Sequence, residues 1–322
     1  MSEILDVDLV AFERGDEAER QAIAHAVLRS LQTGFVYCRH DIPEAAIDDA
    51  YEELGEFFSI DHDTKLTAAA PGSRGQRGYT GLLVETAAAS EHPDWKEMLN
   101  WGTTLPPHHP LRRRFPDLYL DNVFPDDLVP GISGSLLLLH DRLLDLQQRF
   151  LRIVAVAIGC DAGFFDRMVD HGATLSRAIH YPPTHEAPGP EHVWAAEHGD
   201  INLVTALPRA TAPGLQVKTD GGWIDAAPPD GCAIINTGIM LEHLTNGVIP
   251  TGIHRVVAAP DDARDRLSVV QFAHPTPWTV LTPVPSCISA EHPQRFSAVL
   301  AADRLDEVLW QINLVENARR VG

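Results

Sequence analysis

The sequence is poor in basic residues, in cysteine and in long apolar runs. Lysine and arginine total 25 against 45 aspartates and glutamates, and the formal net charge is −20. A nucleic-acid-binding surface needs clustered basic side chains, whereas the densest basic run here is Arg112–Arg114. Cys38, Cys160, Cys232 and Cys287 lie far apart and form no CxxC pair, which argues against a zinc ribbon or a disulfide framework. We therefore expect no nucleic-acid partner and cysteines that serve only in packing.

No apolar stretch approaches the ~20 residues that a membrane-spanning helix needs. The longest stretches, Leu136–Leu139 and Ile153–Ile158, are short and separated by charged residues. The first residues, MSEILDVDLVAFERGDE, are acidic where a secretory signal is basic. A hydrophobic fraction of 44% is enough to bury a large core. We expect a globular cytoplasmic protein without a membrane partner, and the sequence does not indicate its oligomeric state.

The periodicity of apolar residues changes near residue 173. Before that point the pattern is mainly helical, and Gly-rich residues 68–81 read as a loop. From about 174 to 280, short β-rich runs alternate with turn residues every 8–12 residues, which is typical of an all-β sandwich or barrel. We predict this β core, wrapped by an N-terminal helical layer and a C-terminal helix. The predicted helices are Glu17–Leu31, Asp41–Phe58, Ser135–Gly159 and Leu300–Leu314.

Two His-x-Asp pairs suggest metal ligands, and their contexts differ. His92 and Asp94 flank a proline in a polar loop, so we interpret them as structural. His198 and Asp200 open the β-rich run INLVTAL. If the strand includes the pair, two side chains that are two residues apart share one face and can chelate one ion. The alternative is a pair of core histidines with an aspartate that caps a turn.

His254 is the candidate third ligand. The segments GIHRVVAA and RLSVVQFAH, separated by PDDARD, predict a hairpin whose turn centres near Asp262. In this hairpin His254, Arg266 and Ser268 point to one face. Arg266 would lie roughly 13 Å along the strand from the His254 level. Its long side chain would leave a gap that matches a five-carbon dicarboxylate chelated to the metal at one end.

Two histidines and one carboxylate favour iron over zinc. This ligand set leaves three adjacent positions open on an octahedral ion, as in non-haem Fe(II) oxygenases. Zinc prefers four ligands and keeps a single open position when it is catalytic. The sequence therefore predicts an Fe(II) centre.

Residues 179–275 resemble the isopenicillin N synthase-like branch of the Fe(II)/2-oxoglutarate-dependent dioxygenases. The resemblance implies a mainly β fold with flanking α-helices, built around a double-stranded β-helix, or jelly-roll, core. It also implies a single oxygenase domain over 1–322, divided into a helical layer with short strands (1–173), the jelly roll (174–280) and a helical tail (281–322). The matching motifs are IHYPP (179–183), HGDINLVTAL (198–207), PGLQV (213–217), GWIDAAPPDGCAIINTG (222–238), LTNG (244–247), IHRVV (253–257) and RLS (266–268), with weaker matches at RGYTG (77–81), DWKEMLNWG (94–102) and LDEVLWQINL (305–314).

The resemblance also implies roles for residues of the site. His198, Asp200 and His254 would hold iron, and no catalytic residue is expected beyond this metal centre. The far carboxylate of 2-oxoglutarate would be bound by Arg266, Ser268 and Tyr181. The family often reads Asn-Tyr-Tyr-Pro-Pro where this chain has Ile179-His180-Tyr181-Pro182-Pro183, so the minor co-substrate contacts differ while the iron ligands do not.

The substrate-binding residues are predicted from two weaker matches. Arg77 and Tyr79 could bind a carboxylate or a ring of the substrate, and Asn100 could reach towards the metal. Trp194 and Glu197, just before the first ligand, are further pocket candidates. The alternative for each is ordinary packing or a solvated side chain.

The implied activity is oxidation of a small molecule. O₂ and 2-oxoglutarate would be the co-substrates, with succinate and CO₂ formed while a substrate C–H bond is hydroxylated, desaturated or used in ring formation. One alternative is an oxidase or cyclase that uses no 2-oxoglutarate, as isopenicillin N synthase does. Another is a metal-binding sensor without catalysis. A composition rich in Ala, Arg, Asp and Pro is consistent with specialised metabolism in a bacterium with a GC-rich genome.

Overall fold

The computed structural model describes residues 3–86, 91–258 and 264–311. Its helices are α1 (Leu9–Arg14), α2 (Glu17–Ser30), α3 (Glu44–Ser59), α4 (His62–Lys65), α5 (Pro110–Arg114), α6 (Ile132–Ala157), α7 (Asp166–Val169), α8 (Ile239–Leu244) and α9 (Ala301–Gln311). Its strands are β1 (Asp6–Asp8), β2 (Phe35–Arg39), β3 (Gly78–Thr80), β4 (Glu97–Gly102), β5 (Leu175–Tyr181), β6 (Ala195–His198), β7 (Val204–Leu207), β8 (Leu215–Thr219), β9 (Gly222–Asp225), β10 (Cys232–Thr237), β11 (His254–Val256), β12 (Arg266–Ala273), β13 (Val280–Leu281) and β14 (Val299–Leu300).

Two sheets form the centre of the molecule. The large sheet has eight strands in the order β1-β2-β10-β7-β12-β5-β4-β3, and the small sheet has four in the order β6-β11-β8-β9. Helix α6 packs on the outer face of the large sheet, where Gln147 of the helix donates hydrogen bonds to backbone carbonyls of β7 and β12. The predicted mixture of a β core with flanking helices is therefore present.

The predicted helices agree with the structure to within a few residues. Helix α2 begins with a capping box in which Asp16 and Glu19 each bind the other's backbone N–H. Helix α6 is followed by Gly159, which has φ +74 and ends the helix as the sequence suggested. Helix α9 begins at Ala301, and the predicted residues after 311 lie outside the described part of the chain.

The large sheet extends beyond the β-rich region of the sequence. Strands β1 to β4 all come from the first 173 residues. The loop predicted over 68–81 contains β3, because Gly78–Thr80 pairs with β4. Strand β2 pairs with β10 and is buried except at its last residue. These pairings join segments far apart in sequence, and local periodicity could not show them.

The predicted hairpin between His254 and Arg266 is wrong. Strand β11 belongs to the small sheet, where it pairs with β6 and β8, whereas β12 lies in the large sheet between β5 and β7. The chain crosses from one sheet to the other between these strands. The predicted turn near Asp262 lies outside the described residues.

The described residues include no helix that is long and apolar enough to cross a membrane. All four cysteines are free thiols: Cys38, Cys232 and Cys287 are buried, and Cys160 is partly exposed.

His140 of α6 is expected to make the stability of the protein depend on pH. It is 3% exposed, its Nδ1 is 2.8 Å from Ser176 Oγ, and burial, helped by the charge of Arg77, lowers its pKa to about 4. In the unfolded chain His140 binds a proton below pH ~6.5, whereas in the folded chain it does so only near its lowered pKa. The stability of the protein therefore decreases as the pH is lowered from the unfolded pKa towards the folded pKa. The free energy of unfolding is measured with urea at pH 7.5 and pH 5. We expect its decrease between these pH values to be on the order of 1–2 kcal/mol larger for wild type than for His140→Asn.

The exposed His185 supplies the control, because His185→Asn should retain the wild-type pH dependence. Equal losses of stability in wild type and His140→Asn would contradict this assignment.

Candidate metal centre

His198, Asp200 and His254 come together at one point between the two sheets. His198 ends β6, and His254 begins β11 directly opposite it in the register of the small sheet. One ligand atom from each of the three residues lies within 4.8 Å of the other two. Among the described residues this is the sole group of three or more His, Cys, Asp or Glu with that geometry. The structure thus brings the three predicted ligands together.

The reason for their proximity differs from the predicted one. Asp200 does not share a strand with His198, because residues 199–203 cross between the sheets and β7 begins only at Val204. Hydrogen bonds hold the aspartate in place instead. Its backbone carbonyl accepts from Ile239 N at 2.8 Å, and its side chain is bound by β7 and β10, as described below.

Hydrogen bonds to backbone carbonyls set the tautomers of both histidines. His198 Nδ1 is 2.7 Å from Ala196 O, and His254 Nδ1 is 3.0 Å from Gly252 O. A carbonyl can only accept, so each Nδ1 carries a proton and Nε2 is the ring nitrogen that can bind a metal. The ring centroids are 4.3 Å apart. The two imidazoles therefore present their Nε2 atoms to a common point, as metal-binding histidines do.

Asp200 has one carboxylate oxygen occupied by hydrogen bonds. Its Oδ2 accepts from Thr205 Oγ1 at 2.6 Å and from Asn236 Nδ2 at 2.7 Å. Because Oδ2 is used in this way, Oδ1 is the carboxylate oxygen that can bind a metal ion. Sequence reasoning missed both partners, although Asn236 was visible as a polar residue within the apolar run CAIINT.

The electrostatics favour a cation at this point. Burial, together with His254, lowers the pKa of His198 to about 4, so its imidazole is neutral at pH 7. Burial opposes ionisation of Asp200, but the two histidines and the Thr205 and Asn236 donors hold its pKa below the usual range. One carboxylate and two imidazoles form a set with the donor types that suit Fe(II).

Arg266, Ser268 and Tyr181 line the same cavity as the triad. Arg266 is buried, with 2% of its surface exposed. Its guanidinium donates one hydrogen bond from Nη1 to Ser268 Oγ at 2.9 Å and another from Nε to Ala212 O at 3.1 Å. Its guanidinium carbon is 5.2 Å from the centroid of the Tyr181 ring, and Tyr181 lies opposite it in the register of β5 and β12. The predicted grouping is therefore present, although Arg266 and His254 stand on different sheets.

Apolar side chains fill most of the remaining cavity wall. Its apolar lining is Ile179, Leu207, Leu215, Ile234, Val256, Val270 and Phe272.

Tyr79 does not face the cavity, contrary to the prediction. Strand alternation puts it on the outer face of the large sheet, where its hydroxyl donates to Glu97 Oε2 at 2.5 Å. Glu97 is also bound by Lys65 at 2.8 Å and by His180 at 2.8 Å. Tyr79 thus belongs to a buried ionic cluster under α3 and α4. His180 points away from the metal site, as its position next to Tyr181 in the strand predicted.

Arg77 and Asn100 are buried, but neither is among the residues that line the cavity. Arg77 packs against Gly102 and donates from Nη1 to Gln76 O at 2.7 Å. Burial lowers its pKa to about 10. Asn100 accepts a hydrogen bond from Arg177 Nε at 2.7 Å instead of reaching the metal site.

The remaining candidates have structural contacts. Trp194 is buried and donates from Nε1 to Pro182 O at 2.8 Å, with its ring 5.7 Å from that of Tyr181. Glu197 points away from the site and forms an exposed ion pair with Lys218. In the other His-x-Asp pair, Asp94 accepts a hydrogen bond from Ala196 N at 3.1 Å and is not part of the metal-ligand group, which agrees with the structural interpretation.

Comparisons with known proteins match two family models along the chain. Residues 6–127 match the N-terminal domain described as non-haem dioxygenase in morphine synthesis, and residues 173–275 match the 2OG-Fe(II) oxygenase superfamily. Among curated proteins, an oxoglutarate-dependent flavonoid 7-O-demethylase from Ocimum basilicum is 34% identical over 303 residues, which cover 93% of this chain and 76% of that protein.

Two solved structures show the same architecture. A 2OG-Fe(II) oxygenase family protein from Caulobacter crescentus is 31% identical with a TM-score of 0.84, and the match covers 97% of this chain and 100% of that one. A full-length Neurospora crassa protein, solved in complex with alpha-KG, is 26% identical with a TM-score of 0.82, and the match covers 95% of each chain.

The chain therefore belongs to the 2-oxoglutarate-Fe(II) oxygenase superfamily. It is an Fe(II)- and 2-oxoglutarate-dependent dioxygenase with a jelly-roll core. The predicted family, fold class, enzyme class and cofactors are confirmed.

Proposed function

We propose that His198, Asp200 and His254 are the iron ligands, and that Arg266, Ser268 and Tyr181 bind the distal carboxylate of 2-oxoglutarate. The observation that carries this assignment is the single cavity that contains both groups. At one side, three donor atoms lie within 4.8 Å of one another. At the other side is a buried guanidinium.

The surroundings of Arg266 support a role in anion binding. Among the described residues no carboxylate lies within ion-pair distance of it, and its hydrogen-bond partners Ser268 and Ala212 are neutral. Burial lowers its pKa, yet a guanidinium remains charged. A buried, unbalanced cation is costly, so a carboxylate that forms two charge-assisted hydrogen bonds fits this position.

When bound, Fe(II) supplies the chemistry that couples O₂ and the decarboxylation of 2-oxoglutarate to oxidation of a C–H bond. The chain holds the donor atoms in place: Thr205 and Asn236 orient the carboxylate of Asp200, and the carbonyls of Ala196 and Gly252 orient the two imidazoles. The apolar wall of the cavity excludes water from the reacting groups.

The substrate in this proposal is a small molecule that enters the cavity between the sheets. Hydroxylation is the default outcome, with desaturation and ring formation as variants of the same chemistry. We place the enzyme in the cytoplasm and in specialised metabolism, and treat residues 1–322 as one oxygenase domain. The relative named as a flavonoid 7-O-demethylase supports the metabolic setting.

Anaerobic titration tests the proposed residue roles. Protein reconstituted with Fe(II) is titrated with 2-oxoglutarate while the metal-to-ligand charge-transfer absorption is recorded. We expect one iron per chain and a saturable band, and succinate formation once O₂ is admitted. Iron binding without this band, and O₂ consumption without succinate, would contradict the proposal in favour of an oxidase that uses no 2-oxoglutarate. Bound iron with no O₂ consumption would favour a sensor.

A further inference from the structure

A second arginine, Arg177, lies on the cavity side of the large sheet. Tyr181 and Ile179 of β5 line the cavity, and strand alternation directs Arg177 to the same face. Its guanidinium carbon is 5.7 Å from the ring centroid of Phe272, which also lines the cavity. Arg266 is opposite Tyr181, which is four residues from Arg177 on β5. The backbones of Arg177 and Arg266 are therefore separated by roughly 13 Å along the strand direction.

Glu85 connects Arg177 to a second cation, Lys96. A single oxygen, Glu85 Oε2, accepts from Arg177 Nη1 at 3.2 Å and lies 3.3 Å from Lys96 Nζ. None of these three side chains is more than 14% exposed. Phe272, against which Arg177 packs, is opposite Thr205 in the register of β7 and β12, and Thr205 donates to Asp200 Oδ2. This ionic group therefore lies beside the metal-ligand end of the cavity.

Both cations are held by partners other than Glu85. Arg177 Nε donates to Asn100 Oδ1 at 2.7 Å, and Lys96 Nζ donates to Asp94 Oδ2 at 2.9 Å. The other oxygen of Asp94 is bound to the backbone of β6 at 3.1 Å. If Glu85 left, the guanidinium and the ammonium would keep their positions, and the pair would stay ready for another carboxylate.

The charge balance indicates what would replace Glu85. Arg177 and Lys96 carry two positive charges, and Asp94 and Glu85 carry two negative ones. Burial opposes ionisation of Glu85, but the two cations keep its pKa below the usual range, so the group is neutral as a whole. Departure of Glu85 would leave one uncompensated positive charge in a poorly solvated place, which is unfavourable. One entering carboxylate would restore neutrality.

We propose that Arg177 and Lys96 form a carboxylate-binding subsite for the primary substrate, and that Glu85 occupies this subsite while the substrate is absent. The inference rests on the proposed function, because the subsite has a purpose only if the oxidised carbon sits at the iron. It assigns the substrate to small molecules that carry a carboxylate. Arg266 then binds the acid group of the co-substrate, and Arg177 binds the acid group of the substrate.

Binding of matched acids and amides tests this assignment. The probes are hexanoate, octanoate and hydrocinnamate, each beside its primary amide. They are titrated calorimetrically and anaerobically into protein loaded with Fe(II) and saturating 2-oxoglutarate, so that the Arg266 site is filled. The proteins are wild type, Glu85→Gln, Arg177→Gln and Arg177→Lys, each checked by thermal unfolding.

We expect wild type to bind at least one acid more tightly than its amide. Glu85→Gln should bind that acid about tenfold more tightly than wild type, because no internal carboxylate competes, a change worth about 1.4 kcal/mol. Arg177→Gln should lose the preference for the acid. Arg177→Lys, which keeps the charge without the planar fork, should retain part of it.

Asp166→Asn is the matched control, because Asp166 forms an exposed pair with Arg152 on the far side of α6. It should bind the probes as wild type does. Equal affinities for acids and amides in wild type and Glu85→Gln would overturn the subsite. So would a Glu85→Gln protein that unfolds at a lower temperature with unchanged acid affinity, since Glu85 would then serve only as a structural link.

The metal-to-ligand charge-transfer absorption of the protein with Fe(II) and 2-oxoglutarate distinguishes failure of the substrate subsite from failure of the proposed residue roles at the metal. A normal band with no acid preference overturns the subsite alone. A missing band, with an acid preference that Arg177→Gln abolishes, overturns the proposed roles at the metal and supports the subsite.

Discussion

Replacing His254 with alanine is expected to abolish 2-oxoglutarate turnover while the protein stays folded. His254 supplies one of three donor atoms that lie within 4.8 Å of one another, and the remaining two leave the ion weakly held. The residue stands between sheets whose cores are apolar, so the fold does not depend on the metal. Iron content is measured after reconstitution and dialysis, succinate formation under saturating O₂, and stability by thermal unfolding of the metal-free protein.

His185→Ala is the control for this experiment, because His185 is exposed and is not part of the metal-ligand group. It should bind iron and form succinate as wild type does. Global unfolding of metal-free His254→Ala would show that this position has a structural role, and a variant with undiminished iron content and turnover would remove His254 from the ligand set.

The second large effect is expected at Arg266. In a water-poor cavity, loss of one partner of a buried charge pair costs about 3–5 kcal/mol, because the other charge stays unpaired. Arg266→Ala should therefore raise the apparent KM for 2-oxoglutarate by two or more decades, at about 1.4 kcal/mol per decade. Iron content should not change. Arg266→Lys should recover only part of the affinity, because an ammonium cannot form the two parallel hydrogen bonds of a guanidinium.

Steady-state succinate formation and the anaerobic charge-transfer titration measure this effect independently. Arg152→Ala, which removes an exposed arginine from its pair with Asp166, should leave both unchanged. If Arg266→Ala binds 2-oxoglutarate normally but loses affinity for the primary substrate, Arg266 anchors the substrate, as in the oxidase alternative.

Much of the site could be predicted because its ligands occur in short motifs. His198 and Asp200 are two residues apart, and so are Arg266 and Ser268, so each pair is visible within a few letters of sequence. The helices could also be predicted from the sequence, because the amphipathic pattern and the end residues of α2 and α6 are local features. The resemblance of residues 179–275 to a known family then supplied the jelly roll and both cofactors.

Other predictions failed where a residue's environment depends on distant segments. Tyr79 was expected in the substrate pocket, but the pairing of β3 with β4 directs it to Glu97 on the opposite face. The cluster of Glu85, Lys96 and Arg177 joins residues up to 92 positions apart. Alternation along a strand shows which side chains share a face, but not which neighbour the face will meet.

By itself, the sequence determined the ligand types, the secondary structure of the long helices and the excess of acidic charge. Only the tertiary structure decided that β11 and β12 lie in different sheets, and that His254 and Arg266 therefore meet across a cavity instead of along a hairpin. It also decided how Asp200 is oriented, through hydrogen bonds from Thr205 and Asn236. The physical reason is that sheet membership and strand register minimise the free energy of the whole chain, through long-range pairings and burial that no short window of residues contains.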